Sequence, residues 1–147
     1  MEYVVEFQNV YKYYHVGDSV IRATDDVSFK IKKGEFAVVV GPSGAGKTTI
    51  LNLLGGMEEA DKGKIIVNGS NITYFDEKQL TNYRRNDVGF VFQFYNLMPN
   101  LTALENIELA SEICKNALKP KDVLIEVGLE ERMNNFPSQL SGGEQQR

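Results

Sequence analysis

One stretch in the first third of the chain limits the possible folds more than any other. Residues 36–40 form a continuous apolar run, which is typical of a strand covered on both faces, as in a parallel sheet. The run leads into a glycine-rich segment with the sequence GPSGAGKTT, and residues 49–54 continue it as an apolar helix. A strand, a glycine-rich loop and a helix in this order predict a phosphate-binding loop.

The segment matches the pattern of a glycine, four residues and then Gly-Lys-Thr. Its glycines allow backbone amides to curl around a phosphate, and the helix N-terminus adds a partial positive charge. We expect Lys47 to reach the β- and γ-phosphates of a nucleotide and the Thr48 hydroxyl to ligate Mg²⁺. The alternative is a glycine-rich turn without a ligand. The predicted binding residues are Gly41, Pro42, Ser43, Gly44, Ala45, Gly46, Lys47, Thr48 and Thr49.

Hydrophobic periodicity and capping residues predict the remaining elements. Alternating apolar residues predict strands around residues 3–7 and 27–31, and a further strand at residues 65–67 is followed by the turn pair Asn68-Gly69. A second apolar run, at residues 88–92, predicts another strand. Helices are predicted to start at Asp76, Thr102 and Ser141, to have Pro120 in a first turn, and to end near Gly128.

Composition excludes several classes of protein. The 147 residues suit one domain, and a single cysteine and a single histidine argue against a disulfide framework and a zinc site. The net charge of −4 argues against a nucleic-acid partner, for which a basic face is expected. No apolar run approaches the roughly 18 residues of a membrane span.

A second candidate site for an anion lies at the end of the chain, in the sequence LSGGEQ at residues 140–145. Taken alone, a serine-capped helix start with two glycines favours a plain capping box. Beside a phosphate-binding loop, it resembles the LSGGQ or LSGGE signature of the ATP-binding-cassette (ABC) ATPases. The resemblance implies that two such domains pack head to tail and that the signature contacts ATP held by the other subunit. Its contacting residues would be Ser141, Gly142, Gly143 and Glu144.

The resemblance assigns two further residues. Gln93 follows the predicted strand at residues 88–92 and is similar to the family's Q-loop glutamine, which contacts Mg²⁺ and the attacking water. Tyr14 is aligned, through Asn9-Val10 and Gly17, with the aromatic residue that stacks on adenine in this family. Without the resemblance, a glutamine after a strand indicates ordinary surface polarity, and tyrosines in a strand indicate packing on a sheet.

The segment around Gln93 resembles one subgroup, which includes lipoprotein-releasing and macrolide-exporting ABC ATPases. The resemblance rests on the sequences FVFQFYNLMP at residues 90–99 and LTALEN at residues 101–106. It implies a transmembrane permease contacted through residues 94–118 and a cytoplasmic position on the inner face of the membrane. One departure is AGKT at residues 45–48, where the subgroup usually has SGKS; alanine and threonine keep the small side chain and the hydroxyl.

These inferences predict an α/β fold consisting of part of a P-loop NTPase core, an antiparallel β-subdomain and a helical subdomain. The β-subdomain and phosphate loop would occupy residues 1–93, and the helical subdomain with the signature residues 94–147. In the family, the Walker B strand with the catalytic glutamate follows the signature. The resemblance implies ATP and Mg²⁺ as cofactors, and it implies that these residues alone, without the Walker B strand and the catalytic glutamate, do not hydrolyse ATP. Because the chain stops within a newly capped helix, we expect it to be a piece of a longer protein.

Two other functions stay open, and a third is disfavoured. A soluble ABC protein without a permease would share the same motifs, and a binding-only remnant would keep the nucleotide site without turnover. A P-loop kinase or GTPase is disfavoured by the signature.

Overall fold

A computed structural model describes residues 3–114 and 116–147. The chain divides into two compact units, of which the first ends at Val88 and the second comprises Gly89–Arg147. No helix in the described ranges is both long and apolar enough to cross a membrane.

The first unit is built on an antiparallel sheet. Strands β1 (Tyr3–Val16) and β2 (Ser19–Lys32) form a long hairpin, and β1 also pairs with β3 (Lys62–Val67), which pairs with the short β4 (Ser70–Asn71). The strand order is β2-β1-β3-β4, and every pair is antiparallel. The predicted antiparallel sheet is therefore present.

Alternating side chains of this sheet form the core of the first unit. The Phe7 and Phe29 rings are stacked with their centroids 4.5 Å apart, and Val10 and Ile65 are fully buried. Helix α1 (Lys47–Leu54) contributes Leu53 to the same core, so the helix that follows the glycine-rich loop is anchored to the sheet by its C-terminal turn.

Helix α2 (Glu77–Asn86) completes the first unit after a 3₁₀ turn at Ile72–Tyr74. It starts at Asp76 with the predicted capping box. Tyr83 lies buried on its inner face, and its hydroxyl donates a hydrogen bond of 2.7 Å to the carbonyl oxygen of Leu54. This bond joins α2 to the end of α1.

The second unit is helical. It contains α3 (Ala103–Glu112), α4 (Pro120–Glu126) and the short α5 (Gly142–Gln146), with 3₁₀ turns at Glu130–Arg132 and Pro137–Gln139. Its small core consists of Ala103, Leu124, Leu129 and Leu140. The capping boxes predicted at Thr102 and Ser141 are present, as is the proline in the first turn of α4.

Two of the predicted strands are wrong for the described residues. Residues 36–40 and 88–92 form no strand, and Phe36 and Val91 are 91% and 90% exposed. A strand buried on both faces requires hydrogen-bonded neighbours and covering layers. Neither run has a neighbouring strand in the part of the chain that the structure describes, so an apolar sequence alone does not place it in a sheet.

Candidate functional site

The glycine-rich loop, residues 41–46, leads from the extended segment 36–40 into α1. Gly44 and Gly46 both have a positive φ, of 80° and 81°. A Cβ atom on Gly46 would lie 2.0 Å from the carbonyl oxygen of Ala23 in β2, whereas one on Gly44 would meet nothing within 4 Å. Gly46 therefore allows the loop to lie directly against the hairpin, while the backbone at Gly44 faces open space.

The N-terminus of α1 differs from those of the other long helices. Side chains of Asp76 and Thr102 accept hydrogen bonds from the first turns of α2 and α3. Helix α1 has Gly46 at this position, no side-chain cap and no acidic residue in its first turn. Its first backbone amides have no intrahelical acceptors, and the helix dipole places partial positive charge there. These donors suit an anion.

Lys47 adds a full positive charge to this end of the helix. Its ammonium donates hydrogen bonds of 2.9 Å to the carbonyl oxygen of Gly41 and 2.7 Å to that of Pro42. The side chain therefore bends back along the loop that it follows. Phosphate oxygens are stronger acceptors for an ammonium than neutral carbonyls, because the bonds are charge-assisted on both sides.

The two threonines that follow lie in different environments. Thr48 is exposed, and Thr49 is buried. Mg²⁺ in nucleotide sites is bound by one or two protein oxygens together with substrate phosphates. One accessible hydroxyl beside a phosphate loop, which Thr48 provides, fits this mode of binding.

Tyr14 lies on β1 and is half-buried. Its hydroxyl donates a hydrogen bond to the Glu58 carboxylate, and the Lys12 ammonium lies 5.6 Å from the centroid of its ring. Burial, followed by the hydrogen bond to Glu58, raises the pKa of Tyr14. The phenol is therefore protonated at neutral pH and acts as the donor. Glu58 was not among the residues that the sequence singled out, because its partner is distant in the chain.

Gln93 lies in the second unit, in an irregular exposed segment. Its neighbours Phe94, Tyr95 and Met98 are exposed as well, and Phe94 is 76% accessible. Consecutive exposed apolar side chains of this kind mark an interaction surface more often than single ones do.

The signature segment is a fully formed helix start. The Ser141 hydroxyl accepts from the Glu144 amide at 3.3 Å, and the Glu144 carboxylate accepts from the Ser141 amide at 2.7 Å. The same carboxylate pairs with Arg132 at 3.1 Å. The bonds from Ser141, and then that from Arg132, lower the pKa of Glu144 to about 2. Arg132 is a further residue that sequence reasoning missed, because no local pattern links it to the signature.

The two glycines of the signature are exposed at the start of α5. A Cβ atom on Gly142 would lie 3.2 Å from the Tyr95 hydroxyl, whereas one on Gly143 would meet nothing within 4 Å. Tyr95, close after Gln93, thus lies beside the signature within the second unit.

Comparison with known proteins gives the family. The family model described as "ABC transporter" matches residues 24–147. This chain belongs to the ABC transporter family. The resemblance inferred from the phosphate loop and the signature is thereby confirmed, and with it the mixed α/β fold class.

Named relatives of this ABC chain include members of the predicted subgroup. The lipoprotein-releasing system ATP-binding protein LolD of Treponema denticola is 48% identical over 128 residues, which are 84% of this chain and 57% of that protein. The macrolide export ATP-binding/permease protein MacB of Hyphomonas neptunium is 41% identical over 149 residues, 98% of this chain and 23% of that protein.

A solved structure has the same fold. The ATP-binding cassette MJ0796 of Methanocaldococcus jannaschii, in a dimeric post-hydrolysis state bound to ADP and Pi, matches 96% of this chain with a TM-score of 0.86 and 39% identity. The match covers 65% of that chain. The ABC chain thus spans between 23% and 65% of the length of these three proteins.

Proposed function

We propose that this chain is the nucleotide-binding part of an ABC transporter ATPase and that it binds MgATP at residues 41–49. The observation that carries the proposal is the uncapped N-terminus of α1, with Lys47 bent over the glycine-rich loop. Three sources of positive potential, namely free amides, the helix dipole and an ammonium, converge on one small segment.

Each residue of the loop has a separate task in this proposal. The backbone amides at the start of α1 bind phosphate oxygens, and Lys47 transfers its hydrogen bonds from the Gly41 and Pro42 carbonyls to the β- and γ-phosphates. Thr48 supplies one oxygen ligand to Mg²⁺, and that ion neutralises charge on the phosphates. Tyr14 stacks on the adenine, a contact that any π-face can provide.

Gln93 and the signature residues act at other points of the reaction. We infer that Gln93 helps to hold Mg²⁺ and the attacking water. We infer that Ser141, Gly142, Gly143 and Glu144 bind the nucleotide of a second ATPase subunit in a head-to-tail dimer. The exposure of Ser141 and the two glycines supports this role, as does the dimer of the related cassette MJ0796.

A transmembrane permease is the further partner that we propose, contacted through residues 94–118. The exposed apolar side chains of Phe94, Tyr95 and Met98 support such a surface. The names of LolD and MacB favour a permease of the lipoprotein, lipid, peptide or drug export type. In that assembly the chain would be cytoplasmic and peripheral to the inner face of the membrane.

We further infer that the 147 residues alone bind ATP without turning it over. Hydrolysis requires a group that orients the water and accepts its proton. Glu144, the carboxylate within the signature, is fixed by its cap and by Arg132, and its pKa of about 2 makes it a poor base at neutral pH.

Calorimetric titration with ATP and Mg²⁺ tests the nucleotide site. We expect Lys47→Ala to weaken ATP binding at least tenfold, because two charge-assisted contacts are lost. Lys33→Ala removes the same charge from an exposed turn and serves as the matched control. Ser141→Ala should leave binding by the monomer unchanged. Equal effects of the two lysine variants would show that Lys47 contributes only to net charge and would refute the assignment of the site.

A further inference from the structure

Glu58 bridges the strand that carries Tyr14 and the helix that follows the phosphate loop. One of its carboxylate oxygens accepts the hydrogen bond from the Tyr14 hydroxyl. The other accepts a hydrogen bond of 2.7 Å from the side-chain amide of Asn52, in the middle of α1. Glu58 is itself half-buried, in the segment between α1 and β3. A single carboxylate thus connects an aromatic ring to the helix whose N-terminus would receive the phosphates.

We propose that Glu58 is a positioning residue, which fixes the Tyr14 ring at a set distance from the phosphate loop so that both ends of one nucleotide are engaged together. This inference rests on the proposed binding of ATP by Tyr14 and Lys47. It adds a residue that contacts neither the base nor the phosphates.

The backbone around Tyr14 is already held by other contacts. The Tyr13 amide donates a hydrogen bond of 2.6 Å to the Asp61 carboxylate, and the Asp61 amide donates one of 2.9 Å to the Tyr11 carbonyl oxygen. The Lys12 ammonium donates one of 2.8 Å to the Glu59 carbonyl oxygen. These bonds fix the strand against the segment after α1. What they leave free is rotation of the Tyr14 side chain, whose hydroxyl is bonded to Glu58 and also lies within hydrogen-bond reach of the Thr49 side chain.

The hydrogen bond from the Tyr14 phenol to the Glu58 carboxylate is of a kind that can hold the ring in one orientation. Burial raises the pKa of Tyr14, and the hydrogen bond to Glu58 raises it further, so the phenol keeps its proton and donates to a carboxylate. Hydrogen bonds to ionised acceptors are shorter and stronger than those between neutral groups. An aromatic ring held in one rotamer loses less freedom when a base stacks on it, because the ordering precedes binding.

Two ligands separate a positioning role from a purely structural one. ATP engages both the ring and the loop, whereas inorganic tripolyphosphate engages only the loop. Affinities for both ligands are measured by calorimetry with Mg²⁺, for the chain and for Glu58→Ala, Glu58→Gln, Tyr14→Phe and Tyr14→Ala. Glu59→Ala is the matched control, because it removes the adjacent charge and its carboxylate has no hydrogen bond partner among the described residues.

Glu58→Ala removes the acceptor for both Tyr14 and Asn52. Because only the restraint on the Tyr14 ring, and no contact with ATP itself, is lost, we expect ATP binding to weaken about three- to tenfold and tripolyphosphate binding to stay within twofold. Glu58→Gln keeps an acceptor for the Tyr14 hydroxyl and should restore most of the ATP affinity. Tyr14→Phe removes the same hydrogen bond by deleting its donor, the Tyr14 hydroxyl. The Tyr14→Phe and Glu58→Ala changes should therefore not add when they are combined.

Other results would overturn the inference. A loss of tripolyphosphate binding equal to the loss of ATP binding in Glu58→Ala would show a general structural role. Unchanged ATP binding in Glu58→Ala, together with weakened binding in Tyr14→Ala, would show that the ring needs no positioning. Unchanged ATP binding in Tyr14→Ala would refute the adenine contact itself, and with it the part of the proposed function on which the inference rests.

Discussion

Replacing Gly46 with alanine should damage this protein far more than the same change at Gly44. Both glycines belong to the phosphate loop, and both have a φ near 80°. They differ in what a methyl group would meet, because a Cβ atom on Gly46 lies 2.0 Å from the Ala23 carbonyl oxygen and one on Gly44 has nothing within 4 Å. The pair therefore separates backbone strain from steric conflict.

Backbone strain and steric conflict set the loss of stability that we expect for each glycine variant. A left-handed conformation costs a residue with a Cβ atom about 1–2 kcal/mol, and this applies to both variants. Gly46→Ala must also separate the loop from β2, and overpacking of this kind costs about 1–3 kcal/mol more. We expect a loss in the free energy of unfolding of about 1–2 kcal/mol for Gly44→Ala and about 2–5 kcal/mol for Gly46→Ala.

Urea unfolding followed by circular dichroism measures both variants against the unchanged chain. With an m-value of about 1–3 kcal/mol per molar urea for small proteins, a difference of 2 kcal/mol separates the two midpoints by roughly 0.7–2 M. Equal midpoints for the two variants would refute the reasoning, because they would show that the contact between Gly46 and Ala23 does not restrict the residue at position 46.

Three further outcomes follow from the hydrogen bonds and the burial of single side chains. Burial raises the pKa of Tyr83 to about 12. The protonated phenol therefore stabilises the fold fully below pH 10, and this stabilisation is lost as the pH rises towards 12. Ultraviolet titration of the phenolate can follow the loss. The bonds from Ser141 and from Arg132 lower the pKa of Glu144 to about 2. The stabilisation by the ionised Glu144 carboxylate should therefore be complete above pH 4.5 and lost as the pH falls towards 2. Carboxyl chemical shifts would report this titration. Thr24 is buried with a hydroxyl that has no hydrogen bond partner among the described residues, and Thr24→Val should leave the urea midpoint unchanged or raise it.

Features with a local cause could be predicted from the sequence. The helix starts at Asp76, Thr102 and Ser141 are confirmed because a cap and its partner lie three residues apart. The turn at Asn68-Gly69 is also confirmed, with φ values of 48° and 78°. In each case the interaction that decides the structure lies within one turn of chain.

Features that depend on distant partners could not be predicted in this way. The apolar composition of residues 36–40 indicates a buried strand, yet strand formation depends on neighbours that the run itself does not specify. Glu58 and Arg132 were missed for the same reason, since their partners Tyr14 and Glu144 are separated from them by 44 and 12 residues. The assignments of Tyr14, Gln93 and the signature to nucleotide contacts stay predictions.

In the proposed nucleotide complex, the bare start of α1 would tie the stability of this helix to its ligand. A bound phosphate would take the position that the Asp76, Thr102 and Ser141 side chains occupy at the starts of α2, α3 and α5. Each tenfold rise in nucleotide concentration above the dissociation constant adds about 1.4 kcal/mol to the cost of opening the site. Because Leu53, near the other end of α1, is buried in the core of the sheet, nucleotide binding in that complex would stabilise the packing of the first unit as well as the helix.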